Sequence, residues 1–222
     1  MGDKRLNNLL RWGIENSADA PEADGDVLAQ NGQQQPARTS DLTPEVMAAL
    51  MGGPSDADLM KASMEIITAP LSDQVSVQDK LIAFDNFEQL IESLDNANNI
   101  ANLGLWTPLL AQLDADESEL RKMAAWCIGT AVQNNERTQE RLLAVGGLPA
   151  LVAMAVKGEE KKDVRRKAVY ALSSACRNYQ PAMDACAEEL TSRGQPTSKI
   201  DAMDMEAVDM VMDALREQAR AA

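Results

Sequence analysis

Histidine is missing altogether from the 222 residues. Its absence removes the commonest general base and the commonest metal ligand together. Cysteine is scarce: Cys127, Cys176 and Cys186 are too few and too scattered for a disulfide framework or a zinc site. Cys127 and Cys176 fall within apolar helical stretches, where a free thiol serves as a small core residue, and a reducing compartment is implied. Aromatic residues make up only 3% of the chain, and Val and Ile never run in period-two strands. With 12 Met and abundant Ala and Leu, the class expected is all-α.

No apolar run approaches the roughly 18 residues that span a bilayer. At the N-terminus Asp3, Lys4 and Arg5 precede a broken amphipathic segment rather than a signal-peptide core. Gly2 lacks the Ser or Thr that myristoylation wants, since Leu6 stands there. Phosphate-binding Gly-Lys loops are absent. The carboxylates Asp114, Asp116, Glu117 and Glu119 cluster at a helix start, where acidic groups favour the dipole, and no acid–base pair can be placed. The expectation is a cytosolic monomer with no catalytic residue, no metal and no cofactor.

Net charge is −14, unevenly spread. Residues 120–180 carry 11 basic and 5 acidic groups, whereas residues 80–119 carry 1 and 8. An acidic chain repels phosphate backbones, so nucleic acid is not the expected partner. The basic middle third is either a set of solvated helix faces or a patch that steers an acidic partner.

What is present is one structural sentence written twice. Arg121-Lys122-Met123-Ala124-Ala125-Trp126-Cys127-Ile128-Gly129-Thr130-Ala131-Val132-Gln133-Asn134 returns 44 positions later as Arg165 to Asn178. Between the copies, Val145-Gly146-Gly147-Leu148-Pro149-Ala150-Leu151-Val152 echoes Leu103 to Leu110 at a spacing of 42. A helical period of about 40–47 residues is the armadillo/HEAT signature, so an armadillo-repeat, right-handed superhelical solenoid is expected.

In chain order, Leu6, Leu9, Leu10, Trp12 and Ile14 have the spacing of a short amphipathic helix. Such a helix needs a surface to lie on. Residues 1–17 are assigned to this segment, 18–40 to a flexible Gln- and Pro-containing linker, and 41–222 to the repeat domain with helical caps. Thr43 and Pro44 start a helix through Leu50, and Ser55 with Asp58 forms a capping box for a helix ending near Pro70. Ser76 and Asp79 open a longer helix, Lys80 to Leu94, with Leu81, Phe84, Phe87, Leu90, Ile91 and Leu94 facing inward. Shorter helices follow at Asp95–Leu103 and Pro108–Leu113. Glu136–Ala144 and Leu148–Val156 precede a long helix from Lys162, then Ala182–Leu190 and a capping helix Asp204–Ala219.

The Gly-Gly-Leu-Pro-Ala-Leu-Val run and the Ala-rich long helix resemble an armadillo repeat over residues 80–215. More specific is the order of Leu9-Leu10-Arg11-Trp12-Gly13-Ile14-Glu15-Asn16-Ser17, Leu42-Thr43-Pro44-Glu45, Gly52-Gly53-Pro54-Ser55-Asp56-Ala57-Asp58-Leu59-Met60-Lys61 and Asp85-Asn86-Phe87-Glu88-Gln89-Leu90-Ile91-Glu92-Ser93-Leu94-Asp95-Asn96-Ala97-Asn98-Asn99. In that order they resemble the fungal cytosolic armadillo-type nucleotide exchange factors of seventy-kilodalton heat-shock (DnaK-type) chaperones. The linker looks long and Gln-rich for that family.

The resemblance implies that long helices line a concave groove gripping the chaperone's ATPase domain and speeding ADP release. Aligning Phe87 with Ile128 gives three columns: Asp85, Trp126 and Tyr170; Gln89, Thr130 and Ser174; Glu92, Gln133 and Arg177. Trp and Tyr on a groove are favoured anchors; alternatively Trp126 and Tyr170 pack between repeats. Nuclear-import adaptors of this fold place an Asn one turn after the Trp, where Thr130 and Ser174 stand here, and Arg177 would repel a basic peptide. The resemblance also implies that Leu6–Ile14 helps displace misfolded clients. The other reading is a passive armadillo adaptor that leaves nucleotide kinetics unchanged.

Overall fold

Ser76 starts the long helix as its neighbours dictate. Its hydroxyl accepts from the Asp79 amide at 3.2 Å while the Asp79 carboxylate accepts from the Ser76 amide at 2.9 Å, a complete capping box. At Ser55 only half of the expected box is made. The hydroxyl accepts from the Asp58 amide, but the Asp58 carboxylate takes the Ser55 hydroxyl at 2.7 Å instead of the backbone.

The computed structural model describes residues 54–195 and 197–221. Within them α1 spans Asp56–Thr68, α2 Val77–Ile91, α3 Leu94–Asn102 and α4 Trp106–Ala111, which continues as a 3-10 turn Gln112–Asp114. Then α5 spans Ser118–Val132, α6 Glu136–Ala144, α7 Gly147–Val156, α8 Lys162–Cys176, α9 Gln180–Ser192 and α10 Met205–Ala221. The segments assigned to 1–17 and 18–40 and the helix Thr43–Leu50 lie outside the described residues. No strand occurs among the described ones.

The architecture is an all-α, armadillo-like solenoid in two layers. Helices α1, α2, α5, α8 and α10 pack side by side in that order. Helices α3, α4, α6, α7 and α9 form the backing layer, and one continuous core runs between the two. Apolar residues recur at helical spacing on the inner stripes: Phe84, Phe87 and Ile91 on α2, Leu120, Ala124, Ile128 and Ala131 on α5, Val164, Ala168, Leu172 and Ala175 on α8. All three cysteines are free and buried. Burial pushes the Cys127 thiol well up, so it behaves as packing rather than as a nucleophile.

Two details make the repeats legible in the backbone. The long helices α5 and α8 are followed by Asn134 (φ 51°) and Asn178 (φ 59°), left-handed residues at equivalent places in the two copies. Asn tolerates that region better than other side chains. Gln139 of α6 is buried and donates to the carbonyls of Ser174 and Arg177, both at 2.9 Å. Those carbonyls lie at the end of α8, where helical partners run out.

One inward position fails. Leu94 is 58% exposed. Helix α2 ends at Ile91, so Leu94 opens α3 instead of continuing the apolar stripe.

Candidate functional site

The candidate face is that of the long-helix layer. Trp126, on the stripe of α5 opposite its core residues, is half-buried, with part of its ring against the core and part open. Tyr170 of α8 is likewise half-buried. Each ring is thus partly covered and partly open, with Trp126 packed against the core and Tyr170 reaching the side chains of α5.

The register between α5 and α8 differs from the expected columns. Tyr170 does not stand opposite Trp126. Its hydroxyl donates to the Gln133 side-chain oxygen at 3.3 Å and lies 3.5 Å from the Thr130 hydroxyl, one to two turns further on. The reason is Gly129. A Cβ there would fall 2.5 Å from Tyr170 Cε1 and 3.1 Å from the Ala171 Cα. The ring fills the notch left by the missing side chain, and the helices close on each other there. Lys167, one turn before Tyr170, is thereby carried over Trp126, with its Nζ 4.0 Å from that ring's centroid and 5.3 Å from the Tyr170 ring's.

This gives a sharp expectation. Gly129→Ala gains up to about 1 kcal/mol of helix propensity. The Tyr170 ring can swing aside, but the Ala171 backbone resists, so a net loss of about 1–2 kcal/mol is expected in urea unfolding. A stabilised variant would mean that α8 slides freely past α5.

The remaining expected residues divide. Asp85 and Gln89 are exposed and bonded to each other at 2.9 Å. Gln89 also lines a trough of about 620 Å³ between α1 and α2, whose rim shows Leu59, Ile66 and Ile82 at 39–52% exposure. Glu92 is exposed at the end of α2 and Gln133 at the end of α5. Thr130 is half-buried and donates to the Glu88 carboxylate at 2.7 Å. Ser174 is 8% exposed, leaving little of it for a partner to touch. Arg177 caps α8 and reaches α10, bonding the Ser173 hydroxyl at 3.0 Å, Met205 Sδ at 3.3 Å and the Asp209 carboxylate. The structure therefore joins Trp126, Thr130, Gln133 and Tyr170 in one cluster, leaves Asp85, Gln89 and Glu92 along α2, and ties Arg177 to the end helix. The Leu6, Leu9, Leu10, Trp12 and Ile14 segment lies outside the described residues.

Three contributors were not foreseen: Lys167, Glu88 and Gly129. A mid-helix glycine is itself a signal of close approach, and Lys167 sits three residues before Tyr170 on the same helical face. Burial lowers the Lys167 ammonium's pKa, while the Glu88 carboxylate opposes that shift and Lys122 adds to it.

At the N-terminal ends of α5 and α8 the two helices are stitched by charge. Arg121 grips Glu160 through Nε at 2.7 Å and Nη2 at 2.8 Å, and its Nη1 donates to the carbonyls of Ala115 and Asp116, both at 2.7 Å. Lys122–Asp163 at 3.0 Å and Lys161–Glu119 at 3.2 Å lie beside it.

Comparison with known proteins adds the following. Residues 6–100 match the family model for the nucleotide exchange factor Fes1, and residues 96–220 match the SIL1/FES1/HPBP1 C-terminal domain. The Hsp70 nucleotide exchange factor FES1 of Gibberella zeae is 68% identical over 218 residues, covering 98% of each chain. The fes-1 protein of Neurospora crassa is 50% identical, covering 99% of this chain and 100% of its own. The Saccharomyces cerevisiae FES1 is 44% identical over 177 residues, 79% of this chain but 57% of the relative. The crystal structure of an engineered protein superposes with a TM-score of 0.50 at 17% identity, covering 79% of this chain and 71% of that one, a likeness of fold alone.

Proposed function

Because the chain belongs to the nucleotide exchange factor Fes1 family, we propose that it is an exchange factor of Hsp70 chaperones, gripping the ATPase domain with its long-helix face and speeding the loss of ADP. The observation that carries this is near-full-length identity of 68% to an Hsp70 nucleotide exchange factor, which also sets aside the passive adaptor. It is a co-chaperone family rather than a catalytic one.

Physically, the face must hold a shape of the ATPase domain that binds ADP poorly. Every tenfold weakening of ADP requires about 1.4 kcal/mol of preference for that shape. By linkage, ADP then weakens this protein's grip by the same factor. Rigid, half-buried aromatics suit the task, because Trp126 and Tyr170 lose little freedom on binding. The protein works as a monomer in the cytoplasm, without membrane or nucleic acid. Leu6, Leu9, Leu10, Trp12 and Ile14 supply a separate client-displacing contact.

Stopped-flow release of a fluorescent ADP analogue from Hsp70 tests the reading. The rate should rise with added protein and saturate; an unchanged rate rejects it. Removing residues 1–40 should slow client release yet spare ADP release. Survival of both rates would leave the N-terminal segment no role in client displacement.

A further inference from the structure

We propose that the Lys167 ammonium is the receptor for a carboxylate of the bound chaperone, an acidic side chain seated on the edge of the Trp126–Tyr170 pair. The inference rests on the reading that this face grips the ATPase domain, and it names the chemistry of one contact within it. Four cations nearby are already held by acids of the chain: Arg121 by Glu160, Lys122 by Asp163, Lys161 by Glu119 and Arg177 by Asp209. Lys167 is different. Among the described residues its ammonium has no hydrogen-bond acceptor and no ion-pair partner, only the faces of two rings at 4.0 and 5.3 Å.

An aromatic face attracts a cation without satisfying its three N–H donors in the way an oxygen does. Burial disfavours this ammonium, and Glu88, whose charge opposes that effect, has one carboxylate oxygen occupied by the Thr130 hydroxyl. The cation is thus desolvated and positioned during folding, before any partner arrives. An incoming carboxylate would find a partly dried, ring-braced ammonium, the circumstance in which a charge-assisted hydrogen bond is strongest. Exposed Arg166, on the same helix, has no such bracing and stays solvated. Along α2 the face carries Asp85, Glu88 and Glu92 instead, so a matching partner sets its acid against α8 and basic or neutral groups against α2.

Lys167→Met keeps the stem against the rings and removes the charge; Lys167→Arg keeps the charge. Affinity of each full-length variant for the Hsp70 ATPase domain is measured by titration calorimetry from low to high salt, with thermal unfolding as the check on folding. Lys167→Met should bind about tenfold more weakly at low salt and show a shallower salt dependence, with Lys167→Arg close to the unchanged protein in both. Wild-type affinity and salt slope in Lys167→Met overturn the proposal. So does weaker binding with an unchanged slope, which would assign Lys167 to packing alone. If the unchanged protein neither binds the domain nor speeds ADP release, it is the underlying function that falls, and the two failures are distinguishable.

Discussion

Replacing Arg121 with methionine should destabilise the protein by about 3–5 kcal/mol at neutral pH, because it strands a buried carboxylate. The Glu160 side chain is 3% exposed, and its two oxygens take the guanidinium and the Lys161 amide. In a chain of this size the loss corresponds to a fall in Tm of about 10 °C. The pH dependence has a definite sign. Burial alone would raise the Glu160 carboxyl, but Arg121 and the Lys161 amide hold it below the ordinary value. A carboxyl depressed in the folded state contributes stability that is complete above its unfolded pKa, about 4.3, and is lost as pH falls through the folded value. Without Arg121, burial is left to push the carboxyl up, so acid neutralises the stranded charge early. The gap between Arg121→Met and the unchanged protein should therefore be widest near neutrality and narrow in acid. Urea unfolding across pH measures it; a gap independent of pH would show that the pair is not an ion pair in solution. Arg121→Met/Glu160→Gln should recover much of the loss, since the uncompensated charge is gone.

Trp126→Ala is expected to weaken binding to the Hsp70 ATPase domain by about 2 kcal/mol or more, some thirtyfold. On the proposed reading it removes an anchor, and in any case it removes the ring that braces Lys167. Part of the ring lies against the core, so the alanine variant also loses stability. Trp126→Phe separates the two effects, because it retains apolar filling but offers a smaller face to cation and partner. ADP release at subsaturating protein should slow in both variants, more in the alanine one. Affinity equal to the unchanged protein in both would remove Trp126 from the interface. Combined with Lys167→Met in a double-mutant cycle, the pair should be strongly non-additive, as groups in contact are.

Much of this was readable from local chemistry. Ser76 and Asp79 announce α2, and the twice-written stretch ending in Asn134 and Asn178 gives both long helices and their left-handed stops. What could not be read was how one helix slides past the next. Periodicity says which stripe of α5 or α8 is apolar, but the slide is set by side-chain size at the contact. A single glycine there displaced Tyr170 from Trp126 and brought Lys167 in its place. Nor does periodicity show that Ser174 is almost fully covered. Glu160 follows Gly158 and Glu159 in what reads as a solvated loop, and only the fold reveals that Arg121, 39 residues earlier, waits for it. Glu88 is one of three acids spaced along α2 and its end, Asp85, Glu88 and Glu92, and nothing in that spacing shows that Thr130 of the next repeat claims it.

The tight seam at Gly129 has a mechanical meaning. A protein that forces another out of its resting shape must yield less than the object it bends, or the work is absorbed in its own deformation. With the Tyr170 ring in the Gly129 notch and the Ala171 backbone close behind it, α5 and α8 have little travel. On the proposed reading, the centre of the long-helix face acts as an anvil, and strain is passed to the softer body pressed against it.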